Sequence, residues 1–313
     1  MAGPTRYTGY PDYSSTGTSK FIPEVWAGKL TTKFYATTCF GSIASTDFQG
    51  DVKGLGDNVI IRSRPTITIN DYQIGQTLTY EHPEQANTTL AIDRAKSFSF
   101  GLNDVDRYQS DIALMDEFTD DATEQMQIVI DKDILGTIYG DVAAANAGGS
   151  AGVISGNINL GVSGTPLSLT TSNVTDFIVD MGQVLDEQNV PHTGRWLVVP
   201  AWVAGLLKKS PLHNANEMGD NVSILRNGRL GMIDRFEIFV SNNLTTVVDG
   251  TTSTNCTNVV AGHRAGLTFA SQMTEMEELP NPNDFGRLVR GLNVYGFKTI
   301  EPNYLAAGYV DKG

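Results

Sequence analysis

The segment from Asp104 to Asp141 constrains the fold more than any other part of the chain, because it lacks proline and repeats apolar residues at helical spacing. One stripe contains the recurring apolar residues, which are Met115, Phe118, Ala122, Met126, Val129 and Ile130. The pattern predicts an α-helix of about 25 to 35 residues. Asp104 or Asp111 is placed to cap its start, and the glycines at 136 and 140 weaken its end. Such a long helix needs a sheet or other subunits to cover its stripe.

The predicted helix is also strongly acidic. Its 38-residue segment contains eleven acidic and two basic residues. We expect the acids to lie on the helix face opposite the apolar stripe, where water solvates them. An ordinary surface helix with a charged outer face would show the same pattern, so the acids alone assign no function.

The net charge of the whole chain excludes one class of function. The 313 residues carry a formal net charge of −13, whereas proteins that read nucleic-acid sequence neutralise phosphates with lysine and arginine. A protein that only encloses DNA is not excluded. Two cysteines are too few for a disulfide framework, and the first residues lack the apolar run of a signal peptide. No apolar stretch reaches the roughly 18 residues of a membrane span. We therefore expect cytoplasmic synthesis and no membrane contact.

The first hundred residues resemble an extended arm followed by a projection. Residues 1–21 contain too few apolar residues for a core, and Ile22–Tyr35 has the spacing of a short amphipathic helix. Phe48–Phe100 changes to the two-residue period of β-strands, with Thr66–Ile69 as one strand and Gly75–Thr89 as a polar far end. A two-stranded projection is marginally stable alone. We therefore expect another subunit to cover it.

The second half of the chain alternates helices and strands. Ala143–Pro166 is rich in Gly, Ala, Ser and Asn, which predicts a flexible loop. Residues 167–265 are expected to form a mixed domain, and Thr274–Tyr309 returns to a β pattern. The predicted elements of the mixed domain are helices at Asn173–Gln188 and Pro200–Lys208 and strands at Trp196–Val199, Leu230–Val240 and Val259–Ser271.

Motifs for catalysis or cofactor binding are weak. Gly148–Gly152 matches the G-x-S-x-G pattern with Ser150 as the nucleophile, but its flanks are Ala, Asn and Gly instead of a strand and a helix. The four histidines are scattered, and no nucleotide-binding loop or zinc-binding spacing occurs. We therefore expect no enzyme activity, no metal and no cofactor. A serine hydrolase using Ser150, or a paired-carboxylate enzyme, is the alternative from another class.

Four sequence blocks carry a family resemblance: Arg195–Pro211, Gly219–Leu244, Ala261–Gln272 and Phe285–Pro302. In their order, after an arm, a β-projection and a long helix, they resemble the major capsid protein of tailed phages with the Hong Kong 97-like fold. The resemblance covers essentially the whole chain. It implies an α+β fold with an N-terminal arm, an extended β-loop, a peripheral domain with a long spine helix, and an axial domain.

The resemblance also implies boundaries and partners. It places the arm and short helix at 1–47, the extended loop at 48–100, the peripheral domain at 101–141 and 265–313, and the axial domain at 142–264. It implies a virion shell of hexamers and pentamers that is assembled in the host cytoplasm and encloses double-stranded DNA without sequence-specific binding. Scaffolding, portal and decoration proteins are further possible partners. A compartment shell of the same fold that encloses enzymes is the closest alternative.

Two surfaces follow from the resemblance. In this fold the returning β-segment meets neighbouring subunits, so we predict that at least one of Glu275, Glu277 and Glu278 pairs with Arg287 or Arg290 of another copy. The acids of the spine helix, Asp116, Asp120, Asp121 and Glu124, are predicted to face the shell interior and to repel DNA weakly. Solvation of the helix, or pairing with an arm or loop, is the alternative role for these acids.

Overall fold

The computed structural model describes residues 35–47, 58–62, 67–78, 80–82, 87–103, 114–210, 231–282 and 285–313. The predicted arm and the predicted helix at Ile22–Tyr35 lie almost entirely outside these ranges. Within them, three β-sheets and four α-helices form the structure, so the predicted mixture of helix and sheet is present. None of the described helices is long and apolar enough to cross a lipid bilayer.

A seven-stranded sheet forms the centre of the structure. Its strand order is β4-β12-β9-β5-β7-β6, and β8 pairs with β9 beside this path. Helices α3 (Val174–Glu187) and α4 (Ala201–Lys209) pack near it. The strands are β4 (Leu167–Leu169), β5 (Arg195–Val199), β6 (Met232–Ile233), β7 (Phe236–Val240), β8 (Thr246–Val248), β9 (Asn255–His263) and β12 (Leu305–Lys312).

Both faces of this sheet are covered, which explains why β5 is buried along its full length. Side chains alternate between the two faces of a strand. Leu197 and Val199 join the core formed with α3 and α4, whereas Trp196 and Val198 join the core that includes the long helix. The predicted helices of this region and the predicted strand Trp196–Val199 are confirmed to within a few residues. The other two predicted strands are each divided. Leu230–Val240 contains two short strands joined by a turn, and Val259–Ser271 contains the end of β9 and the start of a strand that begins at Leu267, separated by a 3₁₀ turn at Arg264–Gly266.

Within the described residues, which resume at 114, the long helix α2 runs from Leu114 to Leu135 and has 22 residues, so the predicted length of about 25 to 35 residues stays a prediction. The predicted caps at Asp104 and Asp111 lie outside the described residues. The helix ends before Gly136, as predicted, and a short 3₁₀ turn follows at Ile138–Asp141.

The predicted apolar stripe of α2 is partly wrong. Val129 is 43% exposed and Phe118 is 41% exposed, although the rings of Phe118 and Phe100 pack nearly perpendicular to each other with their centres 5.8 Å apart. Among the side chains of this helix that the structure describes, the fully buried ones lie in its second half. Its buried residues are Met126, Ile128, Ile130, Asp131, Ile134 and Leu135.

A three-stranded antiparallel sheet lies beside the central sheet. Its order is β10 (Leu267–Pro280), β11 (Gly286–Thr299) and β3 (Arg94–Asn103). Strand β10 follows β9 after a single 3₁₀ turn, so the two sheets are linked covalently. The last strand, β12, belongs to the central sheet. The predicted boundary that placed all of 265–313 in the peripheral unit therefore disagrees with the sheet membership of residues 305–312.

The region predicted as an extended loop contains a two-stranded antiparallel ribbon, β1 (Asn58–Arg62) and β2 (Asn87–Ala91). A strand was predicted at Thr66–Ile69. Its described residues, 67–69, have no regular structure. A turn at residues 74 and 75, where Gly75 has a φ of 91°, reverses the chain.

The tract at 143–166 is folded, so its prediction as a flexible loop is wrong. Asn146, Ala151 and Leu160 are fully buried. The Asn146 side-chain amide donates to the carbonyl oxygens of Asn303 and Leu305, both at 2.8 Å. Small residues here permit close packing against β12: a side chain at Gly161 would collide with the backbone of Tyr309. Composition resembling a linker therefore encodes a tightly packed segment.

Candidate assembly surfaces

The loop between β1 and β2 exposes a group of large apolar side chains. Ile74 is completely exposed and Ile69 is 90% exposed. Single exposed apolar side chains are common, but several large ones in one loop are typical of a surface that binds a partner. We call this group the loop tip, and its members are Ile67, Ile69, Tyr72, Ile74, Leu78 and Tyr80.

The charged residues predicted to pair between subunits have partners within the chain. Glu277 and Arg290 are direct neighbours across β10 and β11, and the Arg290 Nε donates to Glu277 Oε2 at 2.9 Å. Arg287 Nη1 donates to Glu278 Oε1 at 2.6 Å. The side chain of Glu275 lies outside the described part. The two observed pairs are partly exposed, so pairing with another copy stays a prediction that requires exchange of partners.

Residues 35–45, which we call the strap, comprise five residues without regular structure followed by one turn of helix, and they connect the long helix to both larger sheets. The Tyr35 hydroxyl donates to Asp121 Oδ1 at 2.8 Å, and the Thr37 carbonyl accepts from the Ser241 hydroxyl at 3.0 Å. At its other end Ser45 forms a parallel bridge with Thr268 at the start of β10. The hydrogen bond to Asp121 is the main cause of a raised pKa at Tyr35.

Asp131 is the centre of the strap's attachment. Its side chain is fully buried in α2. Oδ1 accepts the backbone N–H groups of Cys39 at 3.1 Å and Phe40 at 3.0 Å, where the one-turn helix α1 (Phe40–Ile43) begins. Oδ2 accepts the Asn243 side-chain amide at 2.7 Å. Burial, with Asp131 beside it, raises the pKa of the Cys39 thiol. One carboxylate thus joins three parts of the chain.

The acids of α2 do not lie opposite its buried face, which corrects the prediction. Glu124, Asp120 and Glu117 precede Asp131 by 7, 11 and 14 residues. At about 3.6 residues per turn these intervals are close to two, three and four turns, so the four acids are aligned along the helix. We call Glu117, Asp120 and Glu124 the acid stripe, and all three are exposed. The stripe continues the buried face beyond the body of the protein.

The structure separates the four acids predicted to face the shell interior. Asp116, Asp120 and Glu124 are exposed, whereas Asp121 is half-buried and accepts the Tyr35 hydroxyl. Contact of these acids with enclosed DNA stays a prediction.

A second carboxylate fixes the base of the projecting loop. Asp133 accepts Arg94 Nη1 at 2.7 Å and the Tyr295 hydroxyl at 2.6 Å. The Arg94 guanidinium also lies 4.4 Å from the centre of the Phe297 ring. Burial acts to raise the pKa of Asp133, but the hydrogen bonds from Tyr295 and Arg94 outweigh it and hold that pKa below its usual value. The start of β3 is thereby held against both α2 and β11.

Ser150 lies in an exposed turn without the strand and helix of a nucleophile elbow. The nearby turn is held by a carboxylate: Glu187 Oε2 accepts the N–H groups of Ile154 at 2.7 Å and Ser155 at 3.1 Å. These bonds lower the pKa of Glu187 to about 2. The described residues contain no cluster of His, Cys, Asp and Glu that could hold a metal ion.

Sequence reasoning missed the strap and Asp131. A signal was present, because Asp131 directly follows the apolar residues Ile128–Ile130, and Ile134 and Leu135 come about one turn later. An acid in such a position is buried only when hydrogen-bond donors surround it. The partners, however, are 91 to 112 residues away in sequence, and no local pattern identifies them.

Comparison with known proteins places these features in a family. The sequence profile of the family described as phage capsid protein matches residues 87–308. A comparison with curated proteins finds no match.

Solved structures of phage proteins share the fold. One from Mycobacterium phage Che8 is 27% identical over 92% of this chain and 96% of that chain, with a TM-score of 0.74. The capsid structure of cyanophage P-SCSP1u is 13% identical over 99% of this chain and 100% of that chain, with a TM-score of 0.68. The capsid of Ralstonia phage GP4 is 15% identical over 99% of this chain and 98% of that chain, with a TM-score of 0.65. The chain therefore belongs to the phage capsid protein family, as a structural major capsid protein of tailed phages whose copies form the virion shell.

Proposed function

We propose that copies of this chain form hexamers and pentamers of an icosahedral shell that encloses the double-stranded DNA genome of a tailed phage. The loop tip is the observation that carries the proposal. Its six large apolar side chains are exposed on a ribbon that is marginally stable alone, and covering them requires another subunit. Apolar burial of this size favours association by roughly 25 cal/mol for each Å² removed from water.

We assign roles to the parts of the chain in the same proposal. Residues 1–47 act as the arm, 48–100 as the extended loop, 101–141 with most of 265–313 as the peripheral domain, and 142–264 as the axial domain. Residues 305–312 are placed with the axial domain, because β12 pairs with β9 and β4. Asp133 and Arg94 then fix the direction in which the loop leaves the body.

The proposal assigns no chemical reaction to the chain. Scaffolding, portal and decoration proteins are its proposed further partners, and the host cytoplasm is its proposed site of assembly. Each contact between a basic side chain and a DNA phosphate would add salt-sensitive affinity. Because this chain is acidic, it can enclose DNA without binding it tightly, which permits the genome to move.

The loop tip supplies the first test. Ile69→Asp should leave the subunit folded, because the side chain is 90% exposed, but should abolish particles detected by light scattering and electron microscopy. Ile69→Val is the matched control and should still assemble. Normal assembly of Ile69→Asp would contradict the role of the loop tip.

The cargo separates a phage capsid from an enzyme-enclosing compartment. Particles from infected cells should contain nuclease-resistant double-stranded DNA. Particles that contain protein cargo and no DNA would favour the compartment.

A further inference from the structure

A groove lies over β9 and β12, on the face of the central sheet that also carries Val260. The folded tract at 143–166 and strand β8 contribute its walls. Its volume is about 510 Å³, which is within the range of sites that bind ligands. None of the described residues that line it is charged. The lining includes the apolar side chains of Val162 and Val247, the ring of Tyr139, and the small residues Ala307 and Gly308.

The floor of the groove contains a buried polar side chain, that of Asn258 in β9. Asn258 is only 8% exposed and lines the groove. Its backbone N–H donates to the Thr245 carbonyl at 3.1 Å, but its side-chain amide has no hydrogen-bond partner among the residues that the structure describes. The hydroxyl of Tyr309, its neighbour across β12, donates instead to Asp249 Oδ2 at 3.1 Å. A buried amide without a partner costs free energy, so an occupant that hydrogen-bonds to it would complete the site.

The occupant must therefore combine an apolar side chain with an uncharged hydrogen-bonding group. A primary amide offers two N–H donors and one acceptor oxygen, and a peptide group, with one N–H and one C=O, can pair with both. A charged group would lose its hydration here without gaining an opposite charge. Two other described grooves suit an uncharged occupant less, because one contains Glu277 and Arg290 and the other contains Lys312.

The loop tip presents an apolar residue of this kind at a turn. In Gln73–Gln76 the Gln76 N–H donates to the Gln73 carbonyl at 3.0 Å, and Gly75, in the third position, has a φ of 91°. Ile74, in the second position, is completely exposed. Its N–H and carbonyl have no partner in the described part of the chain, and all four residues of the turn are uncharged.

We propose that Ile74 of one subunit inserts into this groove of a second copy, and that its peptide group hydrogen-bonds to the Asn258 side chain. The inference rests on the proposed shell and gives the loop tip a specific binding site within it. Insertion removes a fully exposed apolar side chain from water and gives the buried amide its missing partner. The contact is repeated wherever two copies meet in this way.

Disulfide trapping in assembled shells tests the contact. Subunits with Ile74→Cys are mixed with subunits with Val162→Cys during assembly, and oxidised glutathione is added. We expect dimers in which residue 74 of one subunit is linked to residue 162 of another, identified by mass spectrometry of their peptides. The native cysteines are buried and should stay unlinked. In the matched control, Ile154→Cys replaces Val162→Cys.

The control position is an exposed apolar residue of the same tract that does not line the groove. It should give no linked dimer, because cysteines whose Cα atoms lie more than about 7 Å apart cannot be bridged. Shells that form without the link between residues 74 and 162 would overturn the inference and leave the proposed shell in place. Failure of the wild-type chain to form any shell would contradict the proposed function, and this inference with it.

Replacing Asn258 separates assembly from folding. Asn258→Leu removes the unpartnered amide at similar size, so the urea midpoint of unassembled subunits should stay the same or rise. The subunit concentration for half-maximal assembly should rise about two- to ten-fold, the effect of about one lost hydrogen bond. A lower midpoint with unchanged assembly would overturn the role of Asn258.

A peptide titration tests the site without assembly. A synthetic peptide of residues 70–78, at millimolar concentration, should shift the NMR signals of the Asn258 side-chain amide in ¹⁵N-labelled unassembled subunits. The same peptide with Ile74→Ser should not. Equal shifts with both peptides, or none with either, would overturn the inference. A benzophenone attached to the thiol of Val162→Cys that joins a different protein in particles from infected cells would assign the groove to that partner and overturn it as well.

Discussion

Removing the Asp131 carboxylate should destabilise the subunit more than any change at the exposed acids of the same helix. The side chain is fully buried and accepts hydrogen bonds from two other parts of the chain, the strap and Asn243. In Asp131→Ala, the N–H groups of Cys39 and Phe40 and the side-chain amide of Asn243 lose their acceptor. The Cys39 N–H and the Asn243 amide are buried at these contacts, whereas the Phe40 N–H is only partly buried. Each unsatisfied buried donor costs about 1 to 3 kcal/mol, so the two buried donors should lower the free energy of unfolding by about 2 to 6 kcal/mol.

A reversed pair tests whether the hydrogen bonds cause this loss. In Asp131→Asn the side-chain nitrogen faces the Asn243 nitrogen, which lies 2.7 Å from Asp131 Oδ2 in the native protein, so two donors oppose each other. Adding Asn243→Asp restores a donor and an acceptor at this contact. Recovery should be partial, because Asn243 also donates to the Thr37 carbonyl at 3.3 Å and an aspartate cannot.

Urea unfolding of unassembled subunits, followed by tryptophan fluorescence, measures these differences. Asp120→Ala is the matched control, since Asp120 is exposed on the same helix face and should leave the midpoint unchanged. A loss below about 1 kcal/mol for Asp131→Ala would refute the reasoning, because buried donors would then find other acceptors or water. A reversed pair as unstable as the sum of its two single variants would refute it as well.

Three further predictions concern assembly and pH. Deleting residues 1–20 should preserve the circular dichroism spectrum and lower the particle yield, because that segment has few apolar residues for a core; loss of fold would contradict this. Arg287→Glu should reduce assembly while barely changing subunit stability, since its exposed pair with Glu278 contributes about 0 to 1 kcal/mol, and Glu278→Arg should restore part of the yield. The turn at Ile154 should loosen as the pH falls from 4.5 towards about 2, because the folded-state pKa of Glu187 is depressed and its contribution is present only while it is ionised. Glu187→Gln should remove this pH dependence of the Ile154 amide chemical shift.

The sequence predicted the central domain well because its signals are local. The unbroken apolar run from Trp196 to Val199 is typical of a strand in a sheet covered on both faces, and the apolar spacing of Val174 to Leu185 is typical of a helix that packs on such a sheet. The tract at 143–166 was mispredicted for the opposite reason. Its fixed structure comes from long-range contacts, such as that of Asn146 with Leu305, and small residues permit those contacts without revealing them in composition.

The candidate surfaces could be predicted only in part. The sequence predicts that the projecting loop needs a partner, and it predicts a polar far end at Gly75–Thr89. The exposed apolar side chains of Ile69 and Ile74 lie just before that end, and their exposure is evident only from the structure. For Glu278 and Arg287 the charges suggested pairing, but only the register of β10 and β11 shows that each is already within reach of the other. Sequence separation of nine residues allows either a hairpin contact or a contact between copies.

The acids of α2 lie on the same side of the helix as its buried residues. The two halves of that side therefore suit different neighbours. A uniformly amphipathic helix would carry its charges opposite its apolar stripe, and one neighbouring layer would satisfy it. Here the aligned positions change from exposed Glu117, Asp120 and Glu124 in the first half of the helix to buried Asp131 in the second half. The second half is therefore covered by the body of the subunit, while the first half presents carboxylates in the same direction. An apolar surface cannot cover carboxylates without a large desolvation cost, so the partner of the first half must carry positive charge or hydrogen-bond donors. Tyr35, which donates to Asp121, is the first such donor along the chain that the structure describes.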